Sequence, residues 1–130
     1  MSHRKYIFLD DERYPIDVTW IKLPDYKWDI IRNYPEFVKY IQTHGVPEFL
    51  SLDHDLGSEH YGNFSMNESG YFIDYSKFSE KTGYDCAKFL VDECIRLDKD
   101  VPDYVVHSMN PIGKQNIISY LESYKNARKK

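Results

Sequence analysis

The sequence predicts an α/β protein in which a small, open and mostly parallel sheet is flanked by helices. Short apolar runs alternate along the chain with stretches of helical period, an order typical of parallel sheets built from right-handed crossovers. Three of the apolar runs end abruptly in acids, histidines or hydroxyl residues. In such sheets the carboxyl ends of the strands lie at one edge, and ligands bind there.

The first half of the chain predicts three strands and one short helix. The predicted strands are residues 6–9, 28–32 and 48–52. Pro35 suits a first helical turn and Gly45 suits a helix end, so the helix is expected between them. The stretch 11–27 contains two prolines and has no helical period, which predicts a loop with an extended piece at 18–23.

The second half predicts two further helices around a strand. Thr82 and Asp85 have the spacing of a capping box, and an amphipathic helix follows them. Residues 104–106 predict the last strand, and Pro111 begins the final helix.

The segment of about 58–81 is too long for an ordinary connection and shows no convincing period. It is predicted to be irregular and to serve as a functional loop or lid. The whole chain, 1–130, is expected to form a single domain, because its length suits one core and no linker interrupts it.

Composition excludes several classes of function. The net charge of −4 argues against binding long duplex nucleic acid, which requires a basic face. No apolar run is long enough for a membrane span, and the first residues do not resemble a signal peptide. Cys86 and Cys94 fit small buried thiols in a reducing compartment, so a cytoplasmic location is expected.

Polar residues gather where three of the predicted strands end. They are Asp10, Asp11, Glu12 and Arg13 after the first strand, Asp53, His54 and Asp55 after the third, and His107, Ser108 and Asn110 after the last. The predicted topology brings all three groups to one edge of the sheet.

The acids at this edge predict a divalent metal ion. Carboxylates in one small cleft repel one another, and a cation lets them ionise together. Asp10, Asp11 and Asp53 are the best candidate ligands, and oxygen ligands favour Mg²⁺ or Mn²⁺. Alternatively the acids cap loops, as Asp often does after a strand. Arg13 is either a phosphate clamp or a partner for Asp53 or Asp55.

His54 and His107 each follow a buried strand and are candidate catalytic groups. An imidazole beside carboxylates can donate a proton to a leaving oxygen or hold a phosphate. The alternative for each is a ring bonded to a backbone carbonyl as part of the loop scaffold.

A phosphate site is predicted at the start of the final helix. Ser108, Asn110 and the first backbone N–H groups can bind an anion there, and Asn110 can also be the N-cap. Gly113 would let the backbone approach a ligand, and Lys114 would add charge. Thr82, at the start of the preceding helix, is a second candidate.

These residues resemble the response-regulator receiver domain, in which paired acids bind Mg²⁺ and a later Asp is phosphorylated. The resemblance implies a receiver- or flavodoxin-like three-layer arrangement. Asp10 and Asp11 would hold metal, Asp53 would be the phospho-acceptor, and the Ser108 hydroxyl would contact the phosphoryl group. Yet no helix is predicted between the first two strands, and no fifth strand follows Ser108. Both departures count against phosphorelay signalling.

The closer resemblance is to the cyclic-phosphate processing receiver-like family. Its four signatures are similar to LDDER at 9–13, SLDHDLG at 51–57, TGYD at 82–85 and HSMNPIG at 107–113. The resemblance implies processing of cyclic phosphates on nucleotides or RNA ends, in phage or bacterial RNA repair or immunity.

Together these observations predict a metal-dependent phosphoesterase, of phosphodiesterase type, that opens a cyclic phosphate. Asp53 or Asp55 would orient or deprotonate water, and His54 or His107 would protonate the leaving oxygen. One alternative is a non-catalytic module that binds a phosphorylated nucleotide or a protein partner. Another is a phosphomonoesterase that acts through an aspartyl-phosphate. The particular cyclic phosphate and the oligomeric state are left open.

Overall fold

The computed structural model describes residues 5–57, 65–67, 70–78 and 81–129. In chain order the elements are β1 (Tyr6–Leu9), β2 (Asp29–Ile31), α1 (Tyr34–His44), β3 (Phe49–Leu52), β4 (Ser65–Asn67), β5 (Gly70–Phe72), α2 (Gly83–Leu97), β6 (Asp103–Val106) and α3 (Pro111–Arg128). Four strands form an open, all-parallel sheet in the order β2-β1-β3-β6. The predicted fold class, a receiver- or flavodoxin-like α/β fold, is confirmed.

The register of the sheet makes the strands end level. Leu9 lies beside Ile31 and Leu52, and Leu52 lies beside Val106. The residue after each of three strands then extends the ladder by one more backbone hydrogen bond. These bonds run from Asp10 N to Ile31 O (3.0 Å), from Asp53 N to Leu9 O (3.0 Å) and from His107 N to Leu52 O (2.9 Å). The three polar residues therefore start from the same level of the sheet.

The helices cover the face of the sheet that carries Leu9 and Leu52. Both side chains are fully buried in one apolar cluster, together with Phe37 of α1, Leu90 of α2 and Leu121 of α3. Parallel strands covered in this way become continuous apolar runs, which is why the sequence predicts them so clearly. Cys86 and Cys94 lie in the same cluster, confirming the prediction of buried thiols.

The opposite face is covered by the chain between β1 and β2. Within that connection the only helical geometry is one 3-10 turn at Pro15–Asp17, so the predicted lack of a helix is confirmed. Trp28 packs edge-on against Phe8 and Phe49, with ring centroids 6.3 and 5.9 Å apart. The extended piece predicted at 18–23 joins neither sheet.

The prediction that residues 58–81 are irregular was wrong in part. β4 and β5 form an antiparallel pair, and a 3-10 turn follows at Tyr75–Lys77. The strands are three residues long, too short to give a readable alternation of apolar and polar residues. The rest of the predicted loop, at 58–64, 68–69 and 79–80, lies outside the described residues.

The ends of the helices follow the predicted capping. The Asn110 side chain accepts the Gly113 N–H at 3.0 Å, and the predicted capping box of Thr82 and Asp85 is formed. Among the described residues, no helix is long and apolar enough to cross a membrane.

Candidate functional site

The level strand ends bring Asp10, Asp53 and His107 together. Each offers one possible metal-ligating atom, and the three atoms lie within 4.8 Å of one another. The Nε2 atom of His107 lies 3.0 Å from Oδ2 of Asp10. All three residues are at most 2% exposed, so this is a buried polar group at the edge where the sequence places the site.

The His107 ring is fixed on several sides. Its Nδ1 lies 2.7 Å from the Ser51 hydroxyl, and its plane stacks on Phe8 with centroids 4.6 Å apart. The indole N–H of Trp20 donates to the His107 carbonyl at 2.8 Å. Sequence reasoning missed Ser51 and Trp20 as parts of the site. The available signal for Ser51 was a single hydroxyl inside an otherwise apolar strand, FLSL.

The two buried carboxyl groups have opposite tendencies to ionise. Burial opposes ionisation of Asp10, but hydrogen bonds from His107 and from the backbone N–H groups of Arg13 and Glu12 outweigh it and lower its pKa to about 2. Burial, and then the negative charge of Asp10, raise the pKa of Asp53 to about 8. At neutral pH, Asp10 is therefore the anion of the pair and Asp53 retains a proton unless a cation is bound.

The arrangement around Asp53 fits a cation. Its Oδ2 is buried and has no hydrogen-bond partner among the described residues, which is unusual for a carboxylate oxygen. Two carboxylates and an imidazole nitrogen are a donor set that divalent metals accept. Asp10, Asp53 and His107 could thus hold a metal ion. Asp11 lies outside this group and lines a neighbouring cavity, so its role as a ligand stays a prediction.

His54 and Asp55 belong to a second buried network. The His54 Nδ1 lies 2.7 Å from Oδ1 of Asp55, and its Nε2 lies 2.8 Å from the Tyr75 hydroxyl. Asn110 donates to the same Asp55 oxygen at 3.1 Å, and Asn116 donates to the Tyr75 hydroxyl at 3.0 Å. His54 is fully buried, and both of its ring nitrogens are occupied. The sequence did not predict that Tyr75 contacts His54, because Tyr75 lies in the segment predicted to be irregular.

Two glycines allow this packing. A Cβ at Gly113 would lie 2.3 Å from Cγ of His54, and one at Gly83 would lie 1.8 Å from the Asp53 carbonyl oxygen. The space at Gly113 therefore admits the His54 ring, whereas the sequence had suggested a close approach to a ligand. The N–H of Gly83 also donates to the His54 carbonyl at 2.7 Å, tying α2 to the end of β3.

Arg13 lies over the acidic group from the solvent side. Its Nη1 is 3.4 Å from Oδ2 of Asp10 and 4.0 Å from Oδ2 of Asp53. Its Nη2 contacts the sulfur of Met109 at 3.7 Å, and its guanidinium lies 5.0 Å from the Trp20 ring centroid. The side chain is 29% exposed, so it is the cation that an incoming anion would meet.

The remaining predicted phosphate ligands do not lie together at one site. The Ser108 hydroxyl accepts the Asn110 N–H at 3.1 Å and stays at the edge of the sheet. Thr82 is fully buried and its hydroxyl serves the α2 cap. Lys114 lines a different cavity, beside Val105 and Val106 of β6. These phosphate-binding roles stay predictions.

The family model described as "Cyclic-phosphate processing Receiver domain" matches residues 5–123. The chain belongs to this family. The match takes in every strand of this receiver domain's main sheet and both buried polar networks. No curated protein and no solved structure matched the chain.

Proposed function

We propose that this protein is a metal-dependent phosphoesterase that opens a cyclic phosphate on a nucleotide or RNA end. The observation that carries the proposal is Oδ2 of Asp53, which is buried beside Asp10 and His107 and has no hydrogen-bond partner among the described residues. A buried carboxyl with a raised pKa next to an ionised one is a common way for an active site to hold a proton or a cation.

The proposed reaction is hydrolysis of one ester bond of the ring. The oxygen of water bonds to phosphorus, and the bond from phosphorus to one ribose oxygen breaks. The departing oxygen takes a proton and becomes a hydroxyl, and the product is a phosphomonoester. Water therefore enters once, and no oxidant or second substrate is needed.

The residues divide these tasks by their contacts. Oδ2 of Asp53 makes no hydrogen bond to the described residues and is therefore the atom available to orient water, whereas the Asp55 oxygens already accept from His54 and Asn110. Both nitrogens of His54 and both nitrogens of His107 already have partners, so either ring can be the proton donor only by giving up one of these contacts. A bound Mg²⁺ or Mn²⁺ would polarise the phosphoryl oxygen and lower the pKa of water.

Arg13 is the proposed phosphate-binding residue on the exposed side of the site. The Arg13 guanidinium can leave Asp10 for a phosphoryl oxygen, because that contact is long and partly exposed. The His54–Asp55–Asn110 network then has a positioning role, holding the loop after β3 against the start of α3.

A non-catalytic module that binds a phosphorylated nucleotide is the second candidate. The near-complete burial of Asp10, Asp53 and His107 favours it, because a reactive group must meet its substrate. The two candidates differ in whether bound ligand is turned over.

The test is a mass-spectrometric turnover screen. The protein is incubated with 2′,3′-cyclic and 3′,5′-cyclic nucleotides, cyclic oligonucleotides and RNA 2′,3′-cyclic ends, in Mg²⁺, Mn²⁺ or EDTA. Asp53→Asn is the test variant, and Asp103→Asn, an exposed acid on β6, is its matched control. Ring opening that requires metal and is lost only in Asp53→Asn supports the esterase. Binding without turnover supports the second candidate, and an acid-stable adduct on Asp53 would replace both with the aspartyl-phosphate route.

A further inference from the structure

A cavity of about 550 Å³ adjoins the acidic group on the side of β2. Its wall includes Asp11 and Leu56, each the direct neighbour of a residue in one of the two buried networks. Its volume lies within the range of pockets that hold a nucleotide-sized ligand. The catalytic roles proposed above make no use of this space.

Arg32 lines this cavity and is preorganised to bind an anion. Its Nη1 donates to the Asp10 carbonyl at 3.2 Å and to the Arg13 carbonyl at 2.7 Å, and its guanidinium stacks 4.6 Å from the Tyr14 ring centroid. These contacts fix the guanidinium, and its Nε and Nη2 donors make no hydrogen bond to the described residues, so they remain available to a ligand. Among the described residues, no carboxylate forms an ion pair with Arg32.

Two more residues give the cavity the character of a nucleotide site. Lys81 is exposed and lines the same cavity, so the positive charges of Lys81 and Arg32 outnumber the single negative charge of Asp11 among the lining residues. Tyr34 contributes a half-buried aromatic ring, whose position is fixed by an edge contact with Phe89 at 6.4 Å. An aromatic ring beside cations is a common arrangement for stacking a base near its phosphate.

We propose that this cavity binds a second phosphate of the substrate, held by Arg32 and Lys81, with the adjoining base against Tyr34. The inference rests on the proposed function, which puts the cyclic phosphate at Asp10 and Asp53. Arg32 contacts the backbone of Asp10 itself, so the two phosphate positions are neighbours. The substrate class is then the cyclic-phosphate end of an oligonucleotide, which has a 5′ phosphate beside its terminal ring, in preference to a lone nucleoside cyclic phosphate.

The experiment compares two probes that differ in one group. Adenosine 2′,3′-cyclic phosphate is used with and without a 5′ phosphate, and both binding and turnover are measured. The 5′ phosphate should lower KM and Kd by about tenfold or more, the usual effect of a charge-assisted hydrogen bond. The advantage should shrink as salt is raised.

Variants assign the effect to the cavity. Lys81→Gln and Arg32→Gln should each reduce the advantage of the 5′ phosphate to about threefold or less. Lys39→Gln, an exposed lysine on α1 outside the cavity, is the matched control and should retain the full advantage. Lys81 is exposed, so its substitution should not affect folding, whereas Arg32 also supports the backbone of Asp10.

The outcomes separate this inference from the proposed function. Equal KM values for the two probes, with turnover of both, would overturn the second-phosphate site and leave the esterase intact. A binding advantage that depends on Lys81 and Arg32, without turnover, would support the site and overturn the esterase. Loss of the advantage in Lys39→Gln as well would show a general charge effect and overturn the assignment to this cavity.

Discussion

The Nε2 atom of His107 lies 3.0 Å from Oδ2 of Asp10, although 97 positions separate the two residues in the chain. The contact exists because β3 lies between β1 and β6, and all three strands end level. Ser51, in the middle of β3, meets the other nitrogen of the same ring at 2.7 Å. The His107 ring therefore contacts residues of two other strands, and both contacts depend on the register of β1, β3 and β6.

Asp53→Asn should raise the melting temperature of the metal-free protein by several degrees. At neutral pH the native state must keep a proton on buried Asp53 that the unfolded chain has lost, as its raised pKa indicates, and an amide removes that cost. Each 1 kcal/mol is expected to shift Tm by about 4 °C in a domain of this size. Differential scanning calorimetry in EDTA measures the melting temperature, and Asp103→Asn is the control. Mn²⁺ should stabilise the wild type and not Asp53→Asn, and an equal effect on both would contradict Asp53 as a ligand.

The stability of the metal-free protein should fall as pH rises from about 4 to 8. Over this window native Asp53, with its pKa raised to about 8, retains a proton that the unfolded chain has lost. The native state then binds more protons, so the free energy of unfolding decreases with pH. Asp10, whose pKa is lowered to about 2, acts in the opposite sense and only between about pH 2 and 4. The free energy of unfolding is measured with urea at several pH values for wild type and Asp53→Asn. The difference between the two proteins isolates the contribution of Asp53. A difference that does not change with pH would contradict it.

Ser51→Ala should weaken both the fold and metal binding. Removing the hydroxyl leaves the buried Nδ1 of His107 without its partner, at a cost of about 1–3 kcal/mol. Loss of such a supporting contact typically lowers metal affinity by about 10- to 100-fold. Thermal unfolding and Mn²⁺ titration measure the two effects. Ser51→Thr should restore part of both, and Ser119→Ala, on the exposed side of α3, should change neither. Unchanged Mn²⁺ affinity in Ser51→Ala would contradict a role of the Ser51 hydroxyl in metal binding.

Gly113→Ala should destabilise the protein by about 1–3 kcal/mol, as overpacking of a buried contact does. The added methyl would lie 2.3 Å from the His54 ring, which is fully buried and held by Asp55 and Tyr75. Urea unfolding measures the change. Gln115→Ala, two positions along α3 and exposed, is the control and should be nearly neutral. A stabilised Gly113→Ala, as expected of an unconstrained helical glycine, would contradict the packing role of Gly113.

The predictions of elements and of polar strand ends succeeded because they depend on local patterns. Buried parallel strands are continuous apolar runs, and helix ends are marked by residues such as Asn110 and Thr82. The two short strands at 65–67 and 70–72 have no such mark, and the sequence analysis missed them.

Local sequence patterns were enough to predict the main sheet, its helices and the polar residues at one edge, because hydrophobic periodicity and helix capping involve residues only a few positions apart. How these polar residues divide into two networks depends on the folded chain. His107 lies with Asp10 and Asp53. His54 instead contacts Asp55 and Tyr75, and Lys114 lines another cavity. These choices depend on strand register and on close approaches such as that of Gly113 to His54, which join residues far apart in the chain.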